Sequence, residues 1–357
     1  LPCSVAHWPT VRQEGPSRGL ASVTPRNARA STTSRLPCHA EQVQVHCSIG
    51  RKTLPVLRVL HSLCPLPSGM AVSLTLLGIA QDGGVPHAGC ACSHCMAAHR
   101  DHRLRRHPVA CGILGADDSK HLLEASRSLP DQMRLWAESL DEEGVVRPDS
   151  VSLTHVHLGH VDGLGQFGKE VMGASNLPLY ASSSVIAEMD KREAMEPFSP
   201  VKVVAMQSFE PSPGCGFELE FVPVPHRDEF ADTHAIIVRG PSKSALFLPD
   251  HDRWSSTLYE HGVETIREWL SGLGVDFALI DGSFWDSNEL PGRDMSEIPH
   301  PTVSESLMRL GRREEGDPEI HFIHLNHSNP LLKHGGEHEE LTGMGWGVGW
   351  QGQHFSL

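Results

Sequence analysis

The chain has 357 residues, 39% hydrophobic and 21% charged, enough for one large soluble-type domain or two small ones. A formal net charge of −14 argues against a nucleic-acid backbone or an anionic membrane surface as a general partner. No apolar run approaches the length of a membrane span, the best candidate (residues 54–66) being broken by Arg58, His61 and Pro65.

The charge is uneven along the chain. Residues 1–69 hold eight Lys/Arg against two Asp/Glu, leaving 22 against 42 beyond them. That first stretch is rich in Ser, Pro, Thr and Arg and has no sustained hydrophobic period. It reads as a disordered basic tail: an organelle transit peptide, or an artefact of the gene model with Met70 as the true start. On this reading the tail is dispensable for folding and residues 70–357 form the working domain. The expected location is cytoplasmic, or an organelle if the tail is a transit peptide.

From Ser73 the texture changes. Residues 73–80 read as a buried strand, followed by a Gly-rich turn at 81–84 and a cysteine cluster, Gly89 to Cys95 (GCACSHC). After a basic, His-rich stretch, residues 108–114 and 121–124 form an expected hairpin. Residues 130–140 have helical spacing and a Pro-Asp start. A short strand at 151–154 runs into three histidines, His155, His157 and His160. Leu164, Phe167 and Val171 then suggest a helix with His160 at its mouth. Further strands are expected at 177–180, 201–205, 217–224, 233–238, 245–248, 277–280 and 320–323. Helices are expected from 182–184, over 255–270 and from Thr302, and an edge strand within the Gly- and Trp-rich end, 345–357. Many strands with interspersed helices predict a layered α/β or α+β architecture.

The histidines at 155 and 157 lie two apart, so an extended backbone points both to one side. Single polar residues recur where other expected strands end: His226, Asp250, Asp281 and His324. Strand ends gathered along one sheet edge make a natural site. Five histidines and Asp250 are therefore the candidate ligands of an active-site metal. Three thiols within six residues, Cys90, Cys92 and Cys95, can wrap another ion. Tetrahedral zinc needs a fourth donor there; His327 is the candidate, three residues past His324, whereas His94 lies inside the wrap.

THVHLGH resembles the His-x-His-x-Asp-His motif of the metallo-β-lactamase superfamily, and His226, Asp250 and His324 resemble its later metal-binding motifs, in order. The resemblance implies an α+β fold, an αββα sandwich of two mixed sheets flanked by helices, with the metal site at one edge. It implies that His155, His157 and His226 hold one ion, that His160 and His324 hold a second, and that Asp250 bridges. The Cys-x-Cys-x-x-Cys run, with LGIAQDGGVP, PVPHRDEFADTHA and HLNHSNPLL, is similar to a branch containing pyrroloquinoline quinone synthesis protein B and the phosphodiesterase of the carbon–phosphorus lyase pathway. Both carry such a run near the start. The resemblance covers about residues 73–357.

One departure stands out. Gly159 occupies the motif's aspartate position, leaving the second ion short of a carboxylate, and an aspartate introduced at 159 is expected to raise its occupancy. Asp162 is the nearby alternative, although a helix turns it away. Glu124, where relatives usually have Asp, and Asp281 are expected to support the ligands from behind. His300, on a polar loop (287–301) long enough to cover the site, is the candidate general acid. Asp250 doubles as catalytic acceptor of the water's proton.

The expected function is a metal-dependent hydrolase using metal-bound hydroxide on a phosphodiester or other small ester. Its expected cofactors are a structural Zn(2+) and one or two active-site divalent ions (Zn, Mn or Fe). Its expected partner is a small-molecule substrate, not nucleic acid or a membrane. The alternatives are an iron-dependent oxygenase of the quinone-cofactor type and a non-catalytic zinc-binding relic. Bound metal and oxygen consumption discriminate between the first two; Gly159 is the feature that favours the relic.

Overall fold

The computed structural model describes residues 71–357. The expectations for residues 1–69 lie outside the described residues. Thirteen strands follow in chain order: β1 Ser73–Gly78, β2 Ala110–Leu114, β3 Lys120–Leu123, β4 Ser150–Ser152, β5 Leu177–Ala181, β6 Phe198–Lys202, β7 Glu218–Pro223, β8 His234–Arg239, β9 Ser244–Leu248, β10 Phe277–Asp281, β11 Glu319–Ile323, β12 Gly347–Val348 and β13 His354–Ser356.

They make two mixed sheets. The first runs β13-β1-β2-β3-β4-β5-β6 and the second β12-β11-β10-β9-β8-β7. Alternation decides the packing. Leu74 and Leu76 of β1 and Cys111 and Ile113 of β2 face the second sheet, meeting Phe221, Phe247 and Phe322 in one buried cluster. On the outer side of the first sheet, Leu122, Val151 and Leu179 pack against the helices Leu129–Ser139 and Ser183–Lys191 through Met133, Trp136, Val185 and Met189. The helices Ile266–Leu273 and Val303–Leu310 add Trp269, Leu270 and Leu307 to the same continuous hydrophobic cluster. The αββα expectation is met.

Strand direction places the site. β9, β10 and β11 are parallel, and β7 shares their direction through two antiparallel steps. β1 and β4 are likewise related through β2 and β3. All six therefore end at the same edge of the sandwich. The two sheets are stitched together there, with Leu325 N–H donating to Ile79 O at 2.8 Å and Gln81 N–H to Leu325 O at 2.9 Å.

Three local readings need correction. The helix expected after His160 is one turn, Leu158–Val161, then a 3-10 turn, Leu164–Phe167. Gly163, Gly165 and Gly168 carry too little helix propensity to continue it. The helix expected over 255–270 is two, Trp254–Glu260 and Ile266–Leu273. Gly262 turns between them at φ 65°, and Thr265 caps the second by accepting from Glu268 N–H. β6 ends at Lys202 rather than 205. A helix not expected, Ser93–Arg100, starts at the cysteine cluster, where the Cys92 thiol accepts from Cys95 N–H. Among the described residues, no helix is long and apolar enough to cross a membrane.

Candidate metal centre

Four of the strands ending at that edge deliver the expected donors. His155, His157 and His160 follow β4; His226 follows β7, Asp250 β9 and His324 β11. Asp250 is the hub. Its Oδ2 lies 2.8 Å from His160 Nε2, 3.4 Å from His324 Nε2 and 3.7 Å from His155 Nε2, and its Oδ1 lies 3.8 Å from His226 Nε2. On one side, His155, His157 and His226 form a mutually close triad; on the other, His160 and His324 pair. His324 is held at φ 62°, a left-handed conformation that is strained for a histidine and typical of functional positions.

A polar group faces the far nitrogen of three of these rings. Thr154 Oγ1 sits 2.8 Å from His155 Nδ1, Asp252 Oδ1 3.3 Å from His226 Nδ1, and Ser283 Oγ 2.8 Å from His324 Nδ1. Glu124 is fully buried, accepts from Thr154 N–H at 3.0 Å and lies 3.7 Å from His160 Nδ1. These contacts turn the Nε2 atoms of His160, His226 and His324 toward Asp250.

The donor set fits divalent cations. Asp250 Oδ2 and His324 Nε2 are buried at the centre without a hydrogen-bond partner of good geometry. Such orphans are rare unless something else satisfies them. Burial drives the His155 imidazole well below its ordinary pKa and His157 down to about 4, so both are neutral, the form that binds metal. Burial opposes charge on Asp250, yet His324 and His160 hold its carboxyl well below the usual carboxylate range.

A second cluster lies nearby. Cys90, Cys92, Cys95 and His327 have donor atoms within 4.8 Å of one another, with His327 Nδ1 3.5 Å from both Cys90 Sγ and Cys92 Sγ. His94 instead contacts the His327 carbonyl at 2.9 Å, so His327 is the fourth member. Desolvation pushes the Cys95 thiol up to about 12, against the pull of the His87 N–H and with its sulfur neighbours adding to the rise. Three thiolates can coexist there only around a cation.

His300 is drawn into the first cluster rather than left on an exposed loop. Its Nδ1 lies 2.7 Å from Asp281 Oδ2 and 3.5 Å from Asp250 Oδ1. Burial works against its charge, but the Asp281 and Asp250 carboxylates outweigh that and raise it to about 9. Asp281 also accepts from Ser283 N–H and Oγ–H, so it braces His324 through Ser283. His300 lines a cavity of about 700 Å³ with Arg227, Asp252, Arg293 and His327.

The polar loop over this cavity is pinned by Glu289, which accepts from Trp285 N–H and from Ser328 Oγ–H. Burial raises the Glu289 carboxyl from 4.5 to about 7. The folded chain then keeps a proton that the unfolded chain loses, so this stabilisation is complete below pH 4.5 and lost as pH rises through 7. Glu289→Gln keeps an acceptor and removes the titration. It should raise melting temperature at pH 8 by about 2–5 °C and leave it nearly unchanged at pH 4.5. Equal shifts at both pH values would contradict this.

The reading of Gly159 is corrected by a residue outside the motif. Asp82, in the turn after β1, lies against Gly159. Its Oδ1 is 3.5 Å from both His160 Nε2 and His324 Nε2. A Cβ built on Gly159 would fall 2.5 Å from Asp82 Cγ and closer still to its Cα, so no side chain fits at 159. Asp162 is not a substitute, since it pairs with Arg127 at 2.7 Å. Sequence reasoning also passed over Thr154, Asp252 and Ser283. Each lies within two residues of a residue already singled out (His155, Asp250 or Asp281), the only signal it carried.

A two-sheet sandwich with histidines and carboxylates at one edge defines a metallo-β-lactamase fold. A model of the β-lactamase superfamily domain matches residues 121–340, and the chain belongs to that superfamily. Coenzyme PQQ synthesis protein B of Rhodopseudomonas palustris (strain TIE-1) is 25% identical over 306 residues, covering 79% of this chain and 98% of that protein. The protein of the same description from Ruegeria pomeroyi is 26% identical over 306 residues, with the same coverage. Among solved structures, Zn(2+)-bound PqqB from Methylobacterium extorquens superposes with a TM-score of 0.63 at 22% identity, over 80% of this chain and 100% of that one. A diphosphatase from the PhnP family superposes with a TM-score of 0.56 at 21% identity, over 81% and 98%. Both share the fold.

Proposed function

We propose that the protein is a metal-dependent hydrolase of small anionic esters, with phosphodiesters and diphosphates as the substrate class. The observation that carries this reading is the convergence of five histidines on Asp250 at one sandwich edge. His155, His157 and His226 would hold one divalent ion, His160 and His324 a second, with Asp250 between them. Cys90, Cys92, Cys95 and His327 would hold a structural zinc. The match to zinc-bound PqqB supports a metal-loaded state, and the diphosphatase of the PhnP family supports phosphate-ester chemistry. Divalent ions at such a site acidify water and neutralise charge on the ester oxygens.

The chain's own groups do the rest. Asp250, kept ionised by its histidines, would orient the attacking water by accepting its O–H hydrogen bond. His300, its Nδ1 fixed by Asp281, presents Nε2 on a ring that lines the cavity and donates a proton to the leaving oxygen. The cavity is lined by Arg227 and Arg293 and also by Asp252 and Glu297, so the charge complement for an anionic ester would come from the bound ions, and 700 Å³ suits a small molecule.

His300→Gln tests the assignment of the acid. With an alkyl leaving group, turnover should fall about 10²–10⁴-fold, the usual worth of general acid catalysis. With p-nitrophenolate, which leaves without a proton, the loss should be under about tenfold. Metal content should not change. Equal losses on both substrates would refute the role, and dioxygen uptake by the iron-loaded protein with no ester hydrolysis would refute the hydrolase.

A further inference from the structure

We infer that Asp82 is a metal ligand, supplying from the turn after β1 the carboxylate that the His-x-His-x-Asp-His motif would place at position 159. The inference rests on the metal-centre reading above. It goes beyond the superfamily match, which begins at residue 121 and does not include this turn.

Three observations converge. The first is geometric. Asp82 Oδ1 is equidistant, at 3.5 Å, from the Nε2 atoms of His160 and His324, the two rings that lack a third partner on their side of Asp250. The ordinary role of an aspartate in a Gly-rich turn is to bond its own backbone, yet Asp82 makes no such bond among the described residues. The second is steric. Asp82 fills the space into which a side chain at 159 would grow, so the two positions are alternatives: one carboxylate can stand there, from the turn after β1 or from the helix Leu158–Val161. The third is mechanical. The turn is fixed by bonds on both sides, Gln81 N–H to Leu325 O and Val85 N–H to Arg106 O, and His87 N–H donates to Cys95 Sγ. Asp82 is therefore held in register with His324 by the stitch between the sheets.

Charge gives the arrangement its purpose. The imidazoles are neutral ligands, so without Asp82 two divalent ions would share the single negative charge of Asp250. Asp82 doubles that charge on the side where it is lacking, and carboxylate oxygen suits the harder divalent metals. This removes the one feature that favoured a non-catalytic relic.

The test is metal content at a fixed chelator concentration, for parent, Asp82→Asn and Asp162→Asn. The parent should retain about three ions per chain, one in the cysteine cluster and two among the histidines. Asp82→Asn, isosteric and uncharged, should retain about one fewer, with affinity for that ion down at least about tenfold. Asp162→Asn should match the parent. Fully stripped, parent and Asp82→Asn should melt together, which separates ligand loss from a folding defect. If Asp82→Asn keeps the parent's content, or melts lower when stripped, the inference fails while the metal-centre reading stands. If the parent holds only the cysteine-bound ion, both fail.

Discussion

Gly159→Asp is expected to lose metal and to melt lower, not to gain an ion. The motif makes the substitution look like a repair, since it restores the family's carboxylate beside His160. The packing forbids it. The new Cβ would meet the Asp82 backbone as well as its side chain, and backbone cannot rotate out of the way. The turn after β1 would have to move, carrying Asp82 away from His160 and His324. Overpacking of this kind costs about 1–3 kcal/mol, which corresponds to a fall of about 2–6 °C in a domain this size. Two carboxylates forced together add repulsion. Thermal melting and metal analysis of Gly159→Asp beside Gly159→Ala separate the effects, because alanine brings the clash without the charge. A more stable, more metal-rich Gly159→Asp would overturn the placement of Asp82.

Cys92→Ser should be the most damaging single change outside the histidine cluster. The thiol does two things: it faces Cys90 and His327, and it caps the helix Ser93–Arg100. Serine can still cap, so the loss reports on the metal. The mutant should release about one zinc per chain. Binding energy at a structural zinc is also folding energy, and a drop of about 10 °C or more is the expected scale. The damage should spread. The segment 81–95 carries both Asp82 and the cysteines, and the segment 324–327 carries both His324 and His327. Loosening one cluster slackens the other, so the second histidine-bound ion should also be held more weakly. Full zinc content with unchanged melting would refute the clip.

The sequence displayed most of this site because its donors sit immediately after strands. His155, His226, Asp250 and His324 each follow a short apolar run whose burial is legible from composition alone. Parallel strands then bring their ends to one edge, so chain order and spacing already implied convergence. Asp82 was hidden for the opposite reason. Its neighbours, Gln81, Gly83 and Gly84, read as a turn, and an aspartate in a turn has a sufficient local explanation. Only the pairing of residues 79–81 with Leu325, across more than two hundred residues, shows where it points. His300 was legible as a candidate only from its place on a long polar loop; its partners, Asp281 and Asp250, come from the fold. The split at Gly262 was missed because Leu258, Val263, Ile266 and Leu270 keep a helical period across the break.

The central claim is that hydrolysis belongs to the histidine–carboxylate centre and not to the cysteine cluster. It is tested by adding zinc, manganese or iron to stripped protein in measured equivalents while following hydrolysis of an aryl phosphodiester. The cysteine cluster, rich in thiolate, should fill first with zinc and yield no activity. Turnover should then rise between about one and three equivalents and reach a plateau when both histidine positions are full. Activity complete at the first equivalent, or none at saturation with every metal, would contradict the account.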